Sequence, residues 1–260
     1  MSFTSDIKNE LSRIQPKSRC CLLAQCYGSW LFSKCFTLKE ATFTTECGPA
    51  ARLMLELAAA GPGASAQLSY AVSRRRQPAY RVSLPEEQER LRLVRAFGHT
   101  GREPSLRINR GFLEADCCQK AFLRGVFLVC GTCTDPNKGY HLEFVAPYKN
   151  LAVDLKALLA ELRAVQLAPA ALRRQGGYGV YLKDSGHIEE LLAFFGANNG
   201  AMELMQVKMY KEAKNNINRK TNFETANMDK TYSASARQIA AIAAISDSQG
   251  LGGLPDGLRE

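Results

Sequence analysis

No apolar run in this 260-residue sequence is long enough to span a bilayer, so a membrane-embedded protein is not expected. The N-terminal MSFTSDIKNELSRIQ has no apolar core and carries both charge signs, which excludes a secretory signal. Without an export signal, disulfides are not expected either, although nine cysteines are present at an odd count. A second CxxC is also missing. Cys130 and Cys133 form one, and Cys117 and Cys118 are the pair that could complete a zinc set. Adjacent cysteines in a helix point roughly 100° apart, so the reading here is no metal and no cofactor, with cysteine serving as a small buried hydrophobe.

What is present is a chain with 46% hydrophobic and 23% charged residues, enough for a sizeable core. Its formal charge of +9 creates a mean field that favours a polyanion. These features point to a cytoplasmic protein whose first candidate partner is nucleic acid.

The chain also repeats itself. At an offset of 97, Cys20 falls on Cys117, Cys21 on Cys118, Ala24 on Ala121, Gly28 on Gly125, Leu31 on Leu128 and Glu46 on Glu143. One further residue of offset places Arg75, Arg76 and Gln77 on Arg173, Arg174 and Gln175. The same shift lays Tyr80, Val82, Leu84, Phe97 and Gly98 on Tyr178, Val180, Leu182, Phe195 and Gly196. A period this long means paired subdomains, not a solenoid. Each copy reads as a helix, two strands, a helix, two strands and a closing helix, with Gly98 or Gly196 as the helix stop. In the first helix of each copy the small residues lie four apart on one face, so two helix backbones can approach closely. That places the paired cysteines in a core between them. The hairpins carrying Arg74, Arg75 and Arg76 in one copy and Arg173 and Arg174 in the other fall at equivalent positions, where a saddle of arginines suits a duplex backbone.

The element order and the stretch FLRGVFLVCGT from Phe122 resemble the LAGLIDADG homing-endonuclease fold. RCCLLAQCYG, YLKDSGHIEELLAFFGANN and NNINRKTNFETANMDKT extend the likeness, over nearly the whole chain, to the WhiA family of bacterial regulators, which join such a domain to a C-terminal helix-turn-helix. The resemblance implies an α+β fold of tandem LAGLIDADG-like units (αββαββα twice) followed by a helical linker. The expected divisions are 1–103 and 104–200 for the repeats, 201–248 for a basic linker, and 249–260 for the start of a helix-turn-helix that is otherwise nearly all missing. It also implies a DNA-binding transcriptional regulator of cell division or sporulation genes, associated with the nucleoid.

Enzymes of the nuclease fold end each central helix in an acid, and the two carboxylates hold a divalent metal. Laid over that motif, this chain has Cys130 and, through the repeat, Ser33 in those places. No catalytic residue is expected, so the protein is not read as an enzyme. An endonuclease using Glu46, Glu143 and Asp135 is the less favoured alternative, and Asp135 before Pro136 reads as the start of a turn. The polar segment after Gly196 supplies further DNA-binding candidates: Lys208, Lys211, Lys214, Arg219, Lys220 and Lys230, with Arg237 after them. Asn215, Asn216, Asn218, Asn222 and Asn227 are poor interior helix formers, and the reading gives Asn215, Asn218, Asn222 and Asn227 fixed polar contacts. Pro255 reads as the first turn of a further helix. The competing function is a protein-interaction scaffold for another transcription factor or RNA polymerase, with the basic charge incidental.

Overall fold

The computed structural model describes residues 2–72, 78–248, 250, 253, 255 and 257. Helix α1 (Phe3–Leu11) opens the chain, with Ser2 Oγ accepting from the Ser5 amide, and it buries Phe3, Ile7 and Leu11, which recur at the four-residue spacing of one helix face. The first repeat follows as α2 (Arg19–Leu31), β1 (Cys35–Phe36), β2 (Ala41–Thr45), α3 (Gly48–Ala60), β3 (Gln67–Val72), β4 (Pro78–Ser83) and α4 (Glu87–Ala96). A short 3₁₀ turn at Arg110–Phe112 precedes the second repeat. Its elements are α5 (Asp116–Cys130), β5 (Gly131–Cys133), β6 (Leu142–Ala146), α6 (Lys149–Ala160), β7 (Ala170–Arg174), β8 (Gly177–Leu182) and α7 (Ser185–Phe195). The grammar expected of each repeat is therefore the one observed. Each copy makes its own four-stranded antiparallel sheet, in the orders β1-β2-β4-β3 and β5-β6-β8-β7.

Helices α2 and α5 cross at the centre, and the crossing is set by glycine. A methyl group on Gly28 would run into the Phe122 carbonyl oxygen, and one on Gly125 into the Gln25 carbonyl oxygen. Only hydrogen at these two positions lets the backbones come so close. Aromatic side chains fill the surrounding core: Tyr27, Trp30, Phe122 and Phe127 are all fully buried. Tyr27 ties the loop between the repeats to this core, since its hydroxyl accepts from the Asn109 amide at 2.7 Å and meets His99 Nε2 at 3.1 Å. Burial pushes its phenol pKa up.

The repeat-related positions behave alike. Val82 and Val180, Leu84 and Leu182, and Phe97 and Phe195 are all buried. Strand alternation puts Phe43 and Val82 of the first sheet, and Leu142, Phe144, Val180 and Leu182 of the second, on the helix-covered faces. The opposite faces carry Thr42, Thr44, Arg81 and Ser83 in one sheet and Glu143, Tyr181 and Arg174 in the other. Gly196 ends α7 in the left-handed region at φ 99°, and Gly98 lies just beyond α4 at φ 72°.

Helix α8 runs from Asn198 to Ser248 without interruption. Its first turn is held by Glu10, whose two carboxylate oxygens accept from the amides of Asn199 (2.8 Å) and Gly200 (3.2 Å), a favourable place for negative charge. Two compact units follow from the contact pattern, Met1–Val207 and Lys208–Glu260. Among the described residues, no helix is long and apolar enough to cross a membrane.

Candidate nucleic-acid interface

The nuclease-like site can be built from the ends of the central helices. At the end of α2, Ser33 is fully buried and its hydroxyl donates to the Trp30 carbonyl at 2.7 Å, closing the helix instead of facing outward. At the end of α5, Cys130 Sγ donates to the Val126 carbonyl at 3.4 Å, and burial pushes its thiol up to about 12. Neither can ligate a hard cation as a carboxylate does. The sequence did not point to Lys8, which α1 brings into the electrostatic neighbourhood of Cys130, Cys47 and Glu46. Burial lowers its pKa, while those neighbours raise it. Lys8 therefore packs beside the Cys130 end of α5, with burial working against its charged form. Thr4 of the same helix locks α1 against β5, its hydroxyl donating to the Cys133 carbonyl at 2.7 Å and accepting from the Cys133 amide at 2.8 Å.

Two of the three acids of the alternative metal site, Glu143 and Asp135, are otherwise engaged. Glu143 takes a two-point contact from Arg174, at 2.7 Å from Nε and 3.2 Å from Nη2, and lies 3.5 Å from His141 Nε2. Asp135 Oδ1 accepts from the Asn137 amide at 2.9 Å, the turn-forming geometry that the Asp-Pro sequence suggests. Glu46 is exposed.

Of the arginine saddle expected from the repeat, only the half at Arg173 and Arg174 lies within the described residues. Arg74, Arg75 and Arg76 lie outside the described residues. Arg173 and Arg174 are consecutive on β7, so they point to opposite faces of the sheet. Arg173 pairs across the ladder with Tyr178 and Arg174 with Gly177. Arg174, on the open face, is committed to Glu143. Arg173 and Arg174 both lie on the hairpin, but strand alternation separates them and Glu143 neutralises one.

Helix α8 brings the linker candidates together more convincingly. At 3.6 residues per turn, Lys208, Lys211, Asn215, Asn218 and Asn222 recur every three or four residues and so share one face, with Arg219 beside them. Lys208 and Lys211 are half-buried and the rest of this group is exposed. Lys214, three residues after Lys211 and four before Asn218, borders that stripe, and Lys230, eleven residues after Arg219, continues its edge, whereas Lys220, Asn216 and Asn227 fall away from it; all five are exposed, and Lys220 sits 4.0 Å from Glu224 one turn on. Asn215, Asn218 and Asn222 lie along the cationic face with side chains that can both donate and accept. The opposite face carries Tyr210, Ile217, Met228, Ile239 and Ile242, all exposed.

The paired cysteines depart from expectation. Cys118 is buried and Cys21 partly so, but Cys20 and Cys117 are exposed. The pairs occupy the first turns of α2 and α5, where the helices emerge from the core, so packing accounts for only part of the set. Cys130 lies at the far end of α5, about 20 Å along the axis from Cys117, so the CxxC and the Cys117–Cys118 pair do not form one site. The four sulfurs of Cys20, Cys21, Cys117 and Cys118 do converge, all within 4.8 Å of one another. Adjacent cysteines diverge around a single helix, but two helices meeting at their N-terminal turns bring both pairs to one point.

Comparisons with known proteins agree with this architecture. The model of the WhiA LAGLIDADG-like domain matches residues 119–214, and that of the WhiA C-terminal HTH domain matches residues 217–260. The second match corrects one expectation. The helix-turn-helix is present and not nearly all missing, because its sequence begins at residue 217, inside the polar segment expected to be a linker. Ile239, Ile242 and Ile245, at three-residue spacing, are an apolar helical signal within it. In the described structure residues 217–248 continue α8 as helix, and residues 249, 251, 252, 254, 256 and 258–260, with most of the helix expected at Pro255, lie outside the described residues. The probable cell division protein WhiA of Alkaliphilus metalliredigens is 33% identical over 272 residues, covering 100% of this chain and 85% of that protein. The protein of the same name from Heliobacterium modesticaldum is 32% identical over 269 residues, covering 100% and 83%. Full-length DUF199/WhiA from Thermatoga maritima shares the fold with a TM-score of 0.70 at 22% identity, covering 100% of this chain and 84% of that one. The isolated N-terminal LAGLIDADG domain of DUF199/WhiA aligns with a TM-score of 0.55 at 18% identity, over 75% of this chain. With two LAGLIDADG-like repeats, a helix-turn-helix sequence after them and identity of this extent along its whole length, the chain belongs to the WhiA family of cell division proteins.

Proposed function

We propose that the protein binds duplex DNA as a transcriptional regulator of cell division or sporulation genes, working at the nucleoid, and that its nuclease-like body, the repeats at 1–103 and 104–200, hydrolyses nothing. The observation that carries this reading is the cationic and asparagine-rich face of α8, which runs directly into the segment matching the helix-turn-helix domain. Cations along one helix face meet phosphates, and asparagine can bond either to phosphate or to the edge of adenine. A helix-turn-helix then supplies readout in the major groove. The absence of hydrolysis rests on chemistry. Ser33 and Cys130 are turned back onto their own helices, and Glu143 is held by Arg174.

Selection of bound duplexes from a random-sequence pool tests the regulator reading. Enrichment of one motif, lost when residues from 217 onward are deleted, is the expected result. Recovery of unbiased sequence at all salt concentrations would leave only phosphate binding and end the claim of specific regulation. The second reading, a scaffold for another transcription factor or RNA polymerase, is favoured by the exposed apolar side of α8, where Tyr210 is 70% and Met228 72% accessible. The two readings use opposite faces of one helix and can operate together.

A further inference from the structure

We propose that Cys20, Cys21, Cys117 and Cys118 form a tetrathiolate site for a single zinc ion that clips the two repeats together. Four free sulfurs lie within 4.8 Å of one another. Four thiolates around zinc at about 2.3 Å leave neighbouring sulfurs about 3.8 Å apart in a tetrahedron, so small side-chain rotations complete the shell. The symmetry also fits. Each pair occupies the second and third positions of its helix, in α2 after Ser18 and Arg19 and in α5 after Ala115 and Asp116. Two equivalent pairs facing each other across a pseudo-twofold axis give the two crossed edges of a tetrahedron.

The surroundings suit the charge. A tetrathiolate zinc centre carries net negative charge, and both helix N-termini present their positive ends to it. Ser18 supports the ligands, its hydroxyl lying 3.1 Å from Cys20 Sγ while accepting from the Cys21 amide at 3.4 Å. Outer contacts of this kind orient thiolates on a metal. Exposure of Cys20 and Cys117 leaves a way in for the ion, and the burial of Cys118 keeps one side of the site out of water. The ion class follows from the donors and the spacing. Four soft sulfurs select zinc, iron or cuprous copper over magnesium, and a multi-iron cluster would need its thiolates spread around a larger core than this quartet encloses. The site belongs to the end of the helix pair away from Ser33 and Cys130. Its effect would be mechanical, because ligands from residues 20–21 and 117–118 join chain segments a whole repeat apart.

The test uses the full chain, purified under reductant from zinc-supplemented cells. Elemental analysis should find about one zinc per chain. Replacement by Co²⁺ should produce the strong sulfur-to-metal charge-transfer absorption and the red d–d bands of a tetrahedral thiolate site. Cys20→Ser with Cys117→Ser, both at exposed positions, should abolish these bands and weaken zinc binding by more than the roughly 10–100-fold that loss of an outer contact costs. Cys35→Ser, outside the quartet, should leave binding unchanged, which separates site loss from general disturbance. Sub-stoichiometric zinc with no cobalt–thiolate spectrum after reconstitution would overturn the proposal, as would an unchanged spectrum in the double variant. A disulfide within the quartet, trapped directly from cells by thiol alkylation and seen by mass spectrometry in most chains, would equally overturn it and reassign the cluster to redox chemistry.

Discussion

Replacing Gly28 or Gly125 by alanine probes the central crossing directly. In an isolated helix either change should stabilise, since alanine is favoured over glycine by about 1 kcal/mol. Here the added methyl would meet a backbone carbonyl of the partner helix, that of Phe122 for Gly28 and that of Gln25 for Gly125. A side chain could swing aside, but a carbonyl inside a helix moves only with its helix. Overpacking of this kind costs about 1–3 kcal/mol, and a backbone obstruction belongs at the upper end. Subtracting the propensity gain leaves a net loss of about 2 kcal/mol. For a domain of this size each kcal/mol shifts Tm by about 2–4 °C, so each variant should melt roughly 4–8 °C below the parent. Gly139→Ala is the reference: nothing lies within 4 Å of the added methyl, and its Tm should stay within about 1 °C of the parent. The pair Gly28→Ala with Gly125→Ala should lose less than the sum, because both relieve the same contact once the helices part. Calorimetry or circular dichroism melts suffice. An unchanged or raised Tm for either single variant would mean that α2 and α5 do not cross at these glycines, and the repeat architecture argued from them would fall.

Three other outcomes are expected. Asp154 is nearly buried and accepts from Arg107 Nε at 2.8 Å and from the Ile108 amide at 3.0 Å; Asp154→Ala should cost about 1–3 kcal/mol in urea unfolding, mostly from the orphaned amide, since Arg107 remains well exposed. Burial lowers the pKa of His99, with Glu103 partly opposing it; a depressed folded-state value makes protonation favour unfolding, so stability is full above the unfolded value of about 6.5 and declines as pH falls below it, a slope that His99→Asn should reduce in Tm-against-pH measurements. Supercoiled plasmid incubated with the protein and magnesium or manganese should remain intact; nicking that co-purifies with the chain and disappears in Glu143→Ala would reassign that carboxylate to catalysis.

The duplication was legible because its signals are local and discrete: Cys20, Gly28, Val82, Phe97 and their partners recur in order, and small residues four apart announce a close helix crossing. The αββαββα grammar and the placement of Ser33 and Cys130 near the ends of the central helices followed from the same register. What escaped the sequence depends on three-dimensional direction. Consecutive arginines at 173 and 174 look like one patch until strand alternation sends them to opposite faces. Glu143 finds its partner Arg174 across the sheet, 31 residues away. Lys8 comes near Cys130 only because α1 packs there. The cysteine quartet is the clearest case, since its members were known but their convergence comes from two helix termini meeting. The start of the helix-turn-helix sequence at residue 217 is hidden for a different reason: the residues before Ile239 are mostly polar and carry little apolar periodicity.

The central claim, that α8 presents a phosphate-binding face, is tested most directly by salt dependence. Affinity for a fixed duplex should be measured between about 50 and 200 mM salt for the parent and for Lys208→Gln/Lys211→Gln/Arg219→Gln, with folding checked by melting. Each phosphate contact contributes about 0.9 to the slope of log K against log salt. Losing three contacts should therefore flatten that slope by about 2–3 and weaken binding to every duplex alike. A triple variant with the parent's slope and affinity would contradict the account, because the face of α8 would then lie free of DNA.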